Sequence, residues 1–289
     1  MKKNKNTIIM LLFFFIGLLK LLYPAISNYH NEKIGSKAIA DYEEILSKYN
    51  KEDYSEIFYK AYEYNNKIKK LNSPLISHKT IKVYENLLNI NNDGMIGYIT
   101  IDKIKVELPI YHGTSEEVLS KSVGHLEGSS LPVGGIGTHS VLSAHRGLPS
   151  SKLFTDLDKL EIGDIFTINI LNQMLTYEID KITIVKPNEI EGLKIEEGKD
   201  YITLLTCTPY GINTHRLLVR GTRIENAKEK IYITTEAFKI NNLIVTPIVA
   251  LPIIFTLLLI IIFKPIENNY NLKEYLNKNK DINRRKKIW

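Results

Sequence analysis

Tyr201-Ile-Thr-Leu-Leu-Thr-Cys207-Thr-Pro-Tyr-Gly-Ile-Asn-Thr-His-Arg216-Leu-Leu-Val-Arg-Gly221 reads as a strand, a turn and a second strand. β-Branched and apolar residues fill Tyr201–Thr206 and Leu217–Ile224, and Pro209, Gly211 and Asn213 punctuate the gap. The only cysteine of the chain ends the first strand, and Arg216 stands where the second begins. One cysteine excludes an internal disulfide, a CxxC redox pair and a multi-thiolate zinc site. Two readings remain for the thiol: a nucleophile, or a buried side chain that packs as a small hydrophobe.

Upstream, the same texture recurs. Gly97–Ile101, Lys105–Ile110, His139–Ser143, Ile165–Leu171 and Leu175–Val185 are short β-rich runs bounded by Gly, Pro, Asn or Asp. Seven or eight such strands with brief helical connections predict an all-β core, a barrel or a sandwich. Residues 36–72 have a different period. Ile39, Tyr42, Leu46 and Tyr49 recur at helical spacing, as do Ile57, Ala61, Tyr64, Ile68 and Leu71, with a break at Asn50–Asp53. Ser73-Pro74-Leu75 interrupts that pattern, and Asn91-Asn92-Asp93-Gly94 marks a boundary before the β region. The Gly134-Gly135-Ile136-Gly137 cluster lacks the strand-to-helix context of a phosphate loop and reads as a plain loop.

The two ends of the chain point to a membrane. Leu243–Phe263 carries no charge, and as a helix its 21 residues measure about 31 Å, the thickness of a bilayer core. A second apolar run, Ile8–Leu19, follows Lys2, Lys3 and Lys5 and continues through Leu21–Ile26. It is either an uncleaved anchor or a signal-peptide core cleaved near Ala25-Ile26-Ser27. Lys+Arg total 38 against Asp+Glu 32, and eight of those cations lie in the tail from Lys264 to Trp289. That distribution fits a juxtamembrane basic tail with the middle of the chain outside the cell. No basic face interleaved with stacking aromatics is evident, so nucleic-acid binding is not expected. The expected organisation is an anchor or signal over 1–27, a helical region over 28–93, a catalytic domain over 94–226, a linker over 227–242, a span over 243–263 and a cytoplasmic tail over 264–289.

For a thiol to act at neutral pH it needs a base or cation nearby, an acid for the leaving group and a donor for the oxyanion. Of the seven histidines, His30 lies beside the membrane run and His78 in the linker before the barrel. His145 follows a strand and opens the turn His145-Arg-Gly-Leu-Pro149, at the mouth of the fold. His215 adjoins Arg216, so by strand alternation it faces away if Arg216 faces the thiol.

Thr203-Leu-Leu-Thr-Cys207 followed by Arg216 resembles the sortase signature, in which Thr-Leu-x-Thr-Cys on one strand is followed by Arg on its neighbour. Leu108-Pro-Ile-Tyr-His-Gly113, Gly124-His-Leu-Glu-Gly-Ser-Ser-Leu-Pro-Val-Gly-Gly135, His145-Arg-Gly-Leu-Pro149, Leu153-Phe-Thr-Asp-Leu-Asp-Lys-Leu160 and Cys207-Thr-Pro-Tyr-Gly-Ile-Asn-Thr-His-Arg216 are similar to class C, pilus-assembling sortases. The resemblance implies an eight-stranded sortase β-barrel preceded by an α-helical lid region and flanked by transmembrane helices. It implies a groove for a Leu-Pro-x-Thr-Gly sorting signal, cleaved between Thr and Gly. Cys207 would be the nucleophile that forms a thioester, His145 the proton donor and acceptor, and Arg216 the group that steadies the substrate carbonyl or oxyanion. Partners would be exported surface proteins or pilin subunits, with a pilin lysine amine as acceptor and no cofactor or metal. The alternatives are a wall-anchoring sortase using a peptidoglycan amine, a thiol hydrolase and a non-catalytic tethered binding module. Many class C enzymes cover the site with an Asp-Pro-aromatic lid whose carboxylate pairs with the catalytic Arg. Here the lid position reads Ser73-Pro74-Leu75, which implies a weaker or absent clamp.

Overall fold

The computed structural model describes residues 2–49, 51–71, 74–77, 83–226 and 254. The chain divides into two compact units, Met1–Thr235 and Glu236–Trp289. All described residues but Ile254 belong to the first. Ser73, the expected linker 227–242, the rest of the expected span 243–263 and the basic tail lie outside the described residues.

Eight strands form the core: β1 (Met95–Ile101), β2 (Val106–His112), β3 (Val123–His125), β4 (Thr138–Ser143), β5 (Ile165–Ile170), β6 (Gln173–Val185), β7 (Asp200–Thr208) and β8 (His215–Ile224). They close into a barrel in the order β1-β2-β3-β4-β7-β8-β6-β5, which decides between barrel and sandwich. β2–β3 and β4–β7 are parallel and the other pairs antiparallel. Alternation sends Ile202 and Leu204 of β7, and Leu217 and Val219 of β8, into the core with Ile99, Ile110, Phe154, Ile168 and the stacked pair Phe166 and Tyr177. Each such side chain contributes about 1.5–3 kcal/mol on burial. The intervening residues, Leu205 and Leu218 among them, face outward and join a separate apolar patch. Close approach of β1 to β5 requires Gly97, where a Cβ would lie 2.3 Å from the Asn169 carbonyl oxygen.

Ahead of the barrel run α1 (Lys2–Leu46), α2 (Lys51–Lys69) and the single turn α3 (Pro74–Ser77). The helical stripes read from the sequence are the buried faces: Ile39, Tyr42 and Leu46 on α1, and Ala61, Tyr64 and Ile68 on α2. The break falls slightly earlier than the expected 50–53, just after Leu46. Tyr42 ties α1 to the barrel by donating to Ile96 O at 3.3 Å and accepting from Leu171 N at 2.8 Å. Asn65 does the same for α2, exchanging two hydrogen bonds with the Leu131 backbone at 3.1 and 2.7 Å. α1 is continuous across residues 27–36, although the sequence reads as an apolar run followed by a separate helix. Its stretch Leu11–Leu46 is long and apolar enough to cross a membrane by length and composition.

His112 and His125, at the ends of β2 and β3, both pack against the Tyr84 ring. His125 donates through Nε2 to Ser130 O at 2.8 Å, so its Nδ1 accepts from the Tyr84 hydroxyl, also at 2.8 Å. His112 donates through Nδ1 to Gly94 O at 3.1 Å, and its buried Nε2 has no hydrogen-bond partner. Burial pushes His125 down to about 3 and lowers His112 from the ordinary imidazole value. At pH 7 both are neutral in the fold, whereas the unfolded chain takes up protons from about pH 6.5. Stability is therefore complete above that pH and falls as the pH drops toward the folded values, by up to about 1.4 kcal/mol per pH unit for each histidine. Urea unfolding at pH 7.5 and 5.0 checks this. The wild type should lose stability at pH 5.0, and His125→Gln should show a shallower dependence.

Candidate active site

Cys207 sits near the C-terminal end of β7, partly buried, on the outward face. On one side β8 pairs antiparallel, with Cys207 directly opposite Arg216 and Thr208 opposite His215. On the other side β4 runs parallel, with Ser143 opposite Leu205. That ladder extends one residue further, where Ala144 N donates to Leu205 O at 3.2 Å. Continued by two residues from Ser143 and Leu205, the register brings His145 level with Cys207. Residues opposite one another in a sheet project from the same face. The strand of the thiol thus has the arginine strand on one side and, on the other, the strand whose continuation carries His145, the residue types that acyl transfer through a thioester requires.

Several bonds hold the His145 segment after β4 ends. Thr206 Oγ1 donates to Ala144 O at 2.8 Å from inside the barrel, and Phe154 N donates to His145 O at 3.2 Å. Arg146 turns inward, with its side chain 8% exposed. It donates to Thr208 Oγ1 at 3.2 Å and forms an ion pair with Asp158, while its buried Nε has no partner. The strap joins the residue after the imidazole to the residue after the thiol. Outside, His145 Nε2 lies 3.3 Å from Glu116 Oε2. Glu116 opens the short helix α4 (Glu116–Leu119), whose N-cap Ser115 accepts from Val118 N. Gly147 adopts φ +79° beneath the Tyr210 ring, which a Cβ there would meet at 3.0 Å. The His145 loop and the β7–β8 turn are therefore packed together.

Two arginines on the same face of β8 have different partners. Arg220 binds Asp180 through two hydrogen bonds at 3.0 and 2.8 Å, reaches Glu196 at 3.2 Å and lies over the Tyr201 ring. Arg216 is held instead by the carbonyls of Asn213 and His215, at 3.2 and 3.1 Å. Among the described residues no carboxylate forms an ion pair with it.

Next to Cys207 and Arg216 the outward face carries an apolar patch. Val141, Leu193 and Leu218 form its floor, with Leu126, Val185 and Leu205 partly buried around them. Leu193 comes from the β6–β7 connection, which is pinned to the sheet by His139. That histidine donates through Nδ1 to Lys194 O at 2.8 Å and accepts through Nε2 from the Thr203 hydroxyl at 2.7 Å. Burial lowers its pKa, consistent with a neutral structural role. Leu75, at the expected lid position, packs on the same floor. The leucine thus gives apolar cover one step along the face from the Cys207–Arg216 pair, while Ser73, two residues before it, is not described.

β7–β8 pairing brings Cys207 and Arg216 together, and His145 follows β4, which pairs with β7 on the other side, whereas the described barrel histidines His112, His125 and His139 are engaged elsewhere. Sequence reasoning missed Arg146, Thr206 and Glu116. Arg146 and Thr206 stood beside flagged residues, but Glu116, 29 positions from its partner, carried no local signal.

A family model, the sortase domain, matches residues 99–224. The structure resembles sortase C1 of Streptococcus agalactiae at TM-score 0.62 and 52% identity, covering 66% of this chain and all of that one. It resembles sortase C of Streptococcus pneumoniae, whose structure was related to catalysis and pilin substrate specificity, at TM-score 0.60 and 45% identity, covering 67% and 99%. Sortase D of Bacillus subtilis is 33% identical over 131 residues, 44% of this chain and 63% of that protein. The match thus spans less than two thirds of that relative's length.

Proposed function

This chain belongs to the sortase family, on its class C branch, and from that premise we propose that it is a membrane-anchored, extracytoplasmic cysteine transpeptidase that polymerises pilin-type subunits. The observation that supports this reading is the register, in which Arg216 stands opposite Cys207 and β4 pairs beside β7 up to two residues before His145. Cys207, its proton passed to His145, attacks the Thr carbonyl carbon of a Leu-Pro-x-Thr-Gly signal, and the tetrahedral oxyanion is met by the Arg216 guanidinium. His145 gives a proton to the departing Gly amine as the C–N bond breaks, leaving an acyl thioester on Sγ. A lysine amine then attacks that thioester, His145 takes its proton, and the thiol is released with an isopeptide bond formed. The link of the Streptococcus pneumoniae relative to pilin substrates supports pilin-type subunits as partners. The apolar floor around Leu205 and Leu218 suits the signal's leucine and proline. The long apolar stretch of α1 supports membrane attachment.

The test is incubation of the full chain with a sorting-signal peptide, with and without a lysine-bearing acceptor, read by intact mass. A Cys207 acyl adduct that passes to the lysine supports the reading. Release to water alone makes the protein a hydrolase, transfer only to a peptidoglycan-type amine makes it a wall-anchoring enzyme, and no adduct refutes the chemistry.

Leu75 is proposed as the surviving part of the lid, with Pro74 setting its turn and Ser73 unable to offer a carboxylate. A leucine on the floor must leave before a substrate leucine enters, and this lowers apparent affinity by the fraction of time the floor is free. Leu75→Ala should therefore raise kcat/KM for the peptide by roughly 3–10-fold, from about 1 kcal/mol of lost cover. A steady-state assay checks this, and an unchanged KM would mean that the leucine does not compete for the floor.

A further inference from the structure

The residues that join α1 to the barrel lie at opposite ends of it. Asn31 Nδ2 donates to Ser150 O at 2.8 Å, and Lys152 N donates to Asn28 Oδ1 at 2.7 Å. Both partners belong to the loop that begins at His145. The same loop reaches the β1–β2 turn through Lys152 Nζ and Ile104 O at 3.1 Å. Further along α1, Gly35 faces Pro109 of β2, and Tyr42 reaches Ile96 and Leu171 at the other end of the barrel. From residue 28 to residue 42 the helix rises about 21 Å. The barrel thus stands lengthwise along α1, with the His145 loop beside Asn28 and the β5–β6 turn beside Tyr42.

Asn28 and Asn31 come directly after the apolar run of α1. Ile8–Ile26, as helix, measures about 28 Å, close to a bilayer core. Its side chains Leu12, Phe13, Phe15, Leu19, Leu21 and Ile26 are exposed, as expected of a helix whose partner is lipid. Tyr23 and Tyr29, also exposed, bracket the end of the run where interfacial aromatics gather. The apolar run ends within a turn of where the helix grips the His145 loop.

We propose that α1 holds the barrel with its catalytic end toward the membrane, so that the loop after His145 and the β1–β2 turn lie against the lipid headgroups and Cys207 opens beside them. This inference rests on α1 being a retained anchor, as the proposed function has it, and adds the orientation. The ends of β4 and β7 that carry His145 and Cys207 point the same way as the β1–β2 turn, whereas the β5–β6 turn and residue 225 lie at the far end. A substrate still attached to the same membrane then meets the thiol without leaving the surface. The basic tail, the expected second span and substrate chemistry play no part in the argument.

The full chain in phospholipid nanodiscs provides the test. Cys207 is the only cysteine, so Cys207→Ser frees a single labelling position. In that background Pro149→Cys and Asp102→Cys mark the catalytic end, and Asn172→Cys and Glu225→Cys mark the far end, each at an exposed residue. A bimane label on each is quenched by a lipid carrying a spin label in its headgroup. Quenching at 149 and 102 at least about threefold stronger than at 172 and 225 is expected. Equal or reversed quenching, with intact mass showing α1 present, overturns the orientation and leaves the anchor and the transpeptidase reading untouched. Loss of residues before about 28 from the mature chain overturns both the orientation and the anchor, while the peptide assay still judges the chemistry separately. Two labels per end keep the result readable if one variant misfolds.

Discussion

Arg216→Lys is expected to lower the rate of thioester formation by roughly 10²–10³-fold with little change in KM, the cost of removing one preorganised oxyanion donor. The charge survives in lysine, so the loss isolates geometry. In the native site the guanidinium is tethered by the Asn213 and His215 carbonyls at 3.2 and 3.1 Å and still has donors left to face the strand opposite. An ammonium of shorter reach cannot keep that tether and meet an oxyanion over Cys207 together. Because the contact strengthens as charge develops on the carbonyl oxygen, the loss should appear in kcat. Rapid-quench acylation followed by intact mass measures it. A lysine variant that keeps half the native rate, or that loses only affinity, would remove Arg216 from the transition state. Arg220→Lys is the control: its fork is committed to Asp180 and Glu196, so it should affect stability more than the acylation rate.

His145→Ala is expected to slow cleavage of an amide substrate by roughly 10²–10⁴-fold, the usual worth of a positioned acid or base. An amine leaves poorly unless it is protonated, whereas an alkoxide or thiolate of low basicity needs little help. The variant should therefore recover much of its deficit when the scissile amide is replaced by a thioester. Parallel acylation assays on the two substrates decide the matter. Equal losses on both would mean that the imidazole only supports the loop, a role already carried by Thr206, Phe154 and Arg146.

Much of the site was legible in the sequence because its chemistry is written in residue types. A lone cysteine limits the options by exclusion, and Cys207 and Arg216 lie on adjacent strands of one hairpin, where local pairing suffices to align them. The strands containing β-branched alternation were found, and so were the buried stripes of α1 and α2. β3 was missed because Val123-Gly124-His125 is too short to show a period. The four barrel histidines that do not join the thiol could not be sorted by composition. Only burial shows that His112, His125 and His139 are neutral parts of the framework. The lid was read as atypical from Ser73 and Leu75, yet the seat that Leu75 occupies comes from strands more than sixty residues away.

The amino-acid sequence by itself determined the nucleophile, its arginine and the strand–turn–strand that joins them, because a hairpin's register follows from alternation and a short turn. Tertiary structure decided that β4 lies parallel beside β7, pairing up to two residues before His145, and that α1 grips the loop beyond it. Neither pairing leaves a local pattern. Both are set when the barrel closes and every strand must find the neighbour that buries its inner face, and a shift of one residue there would turn Cys207 inward.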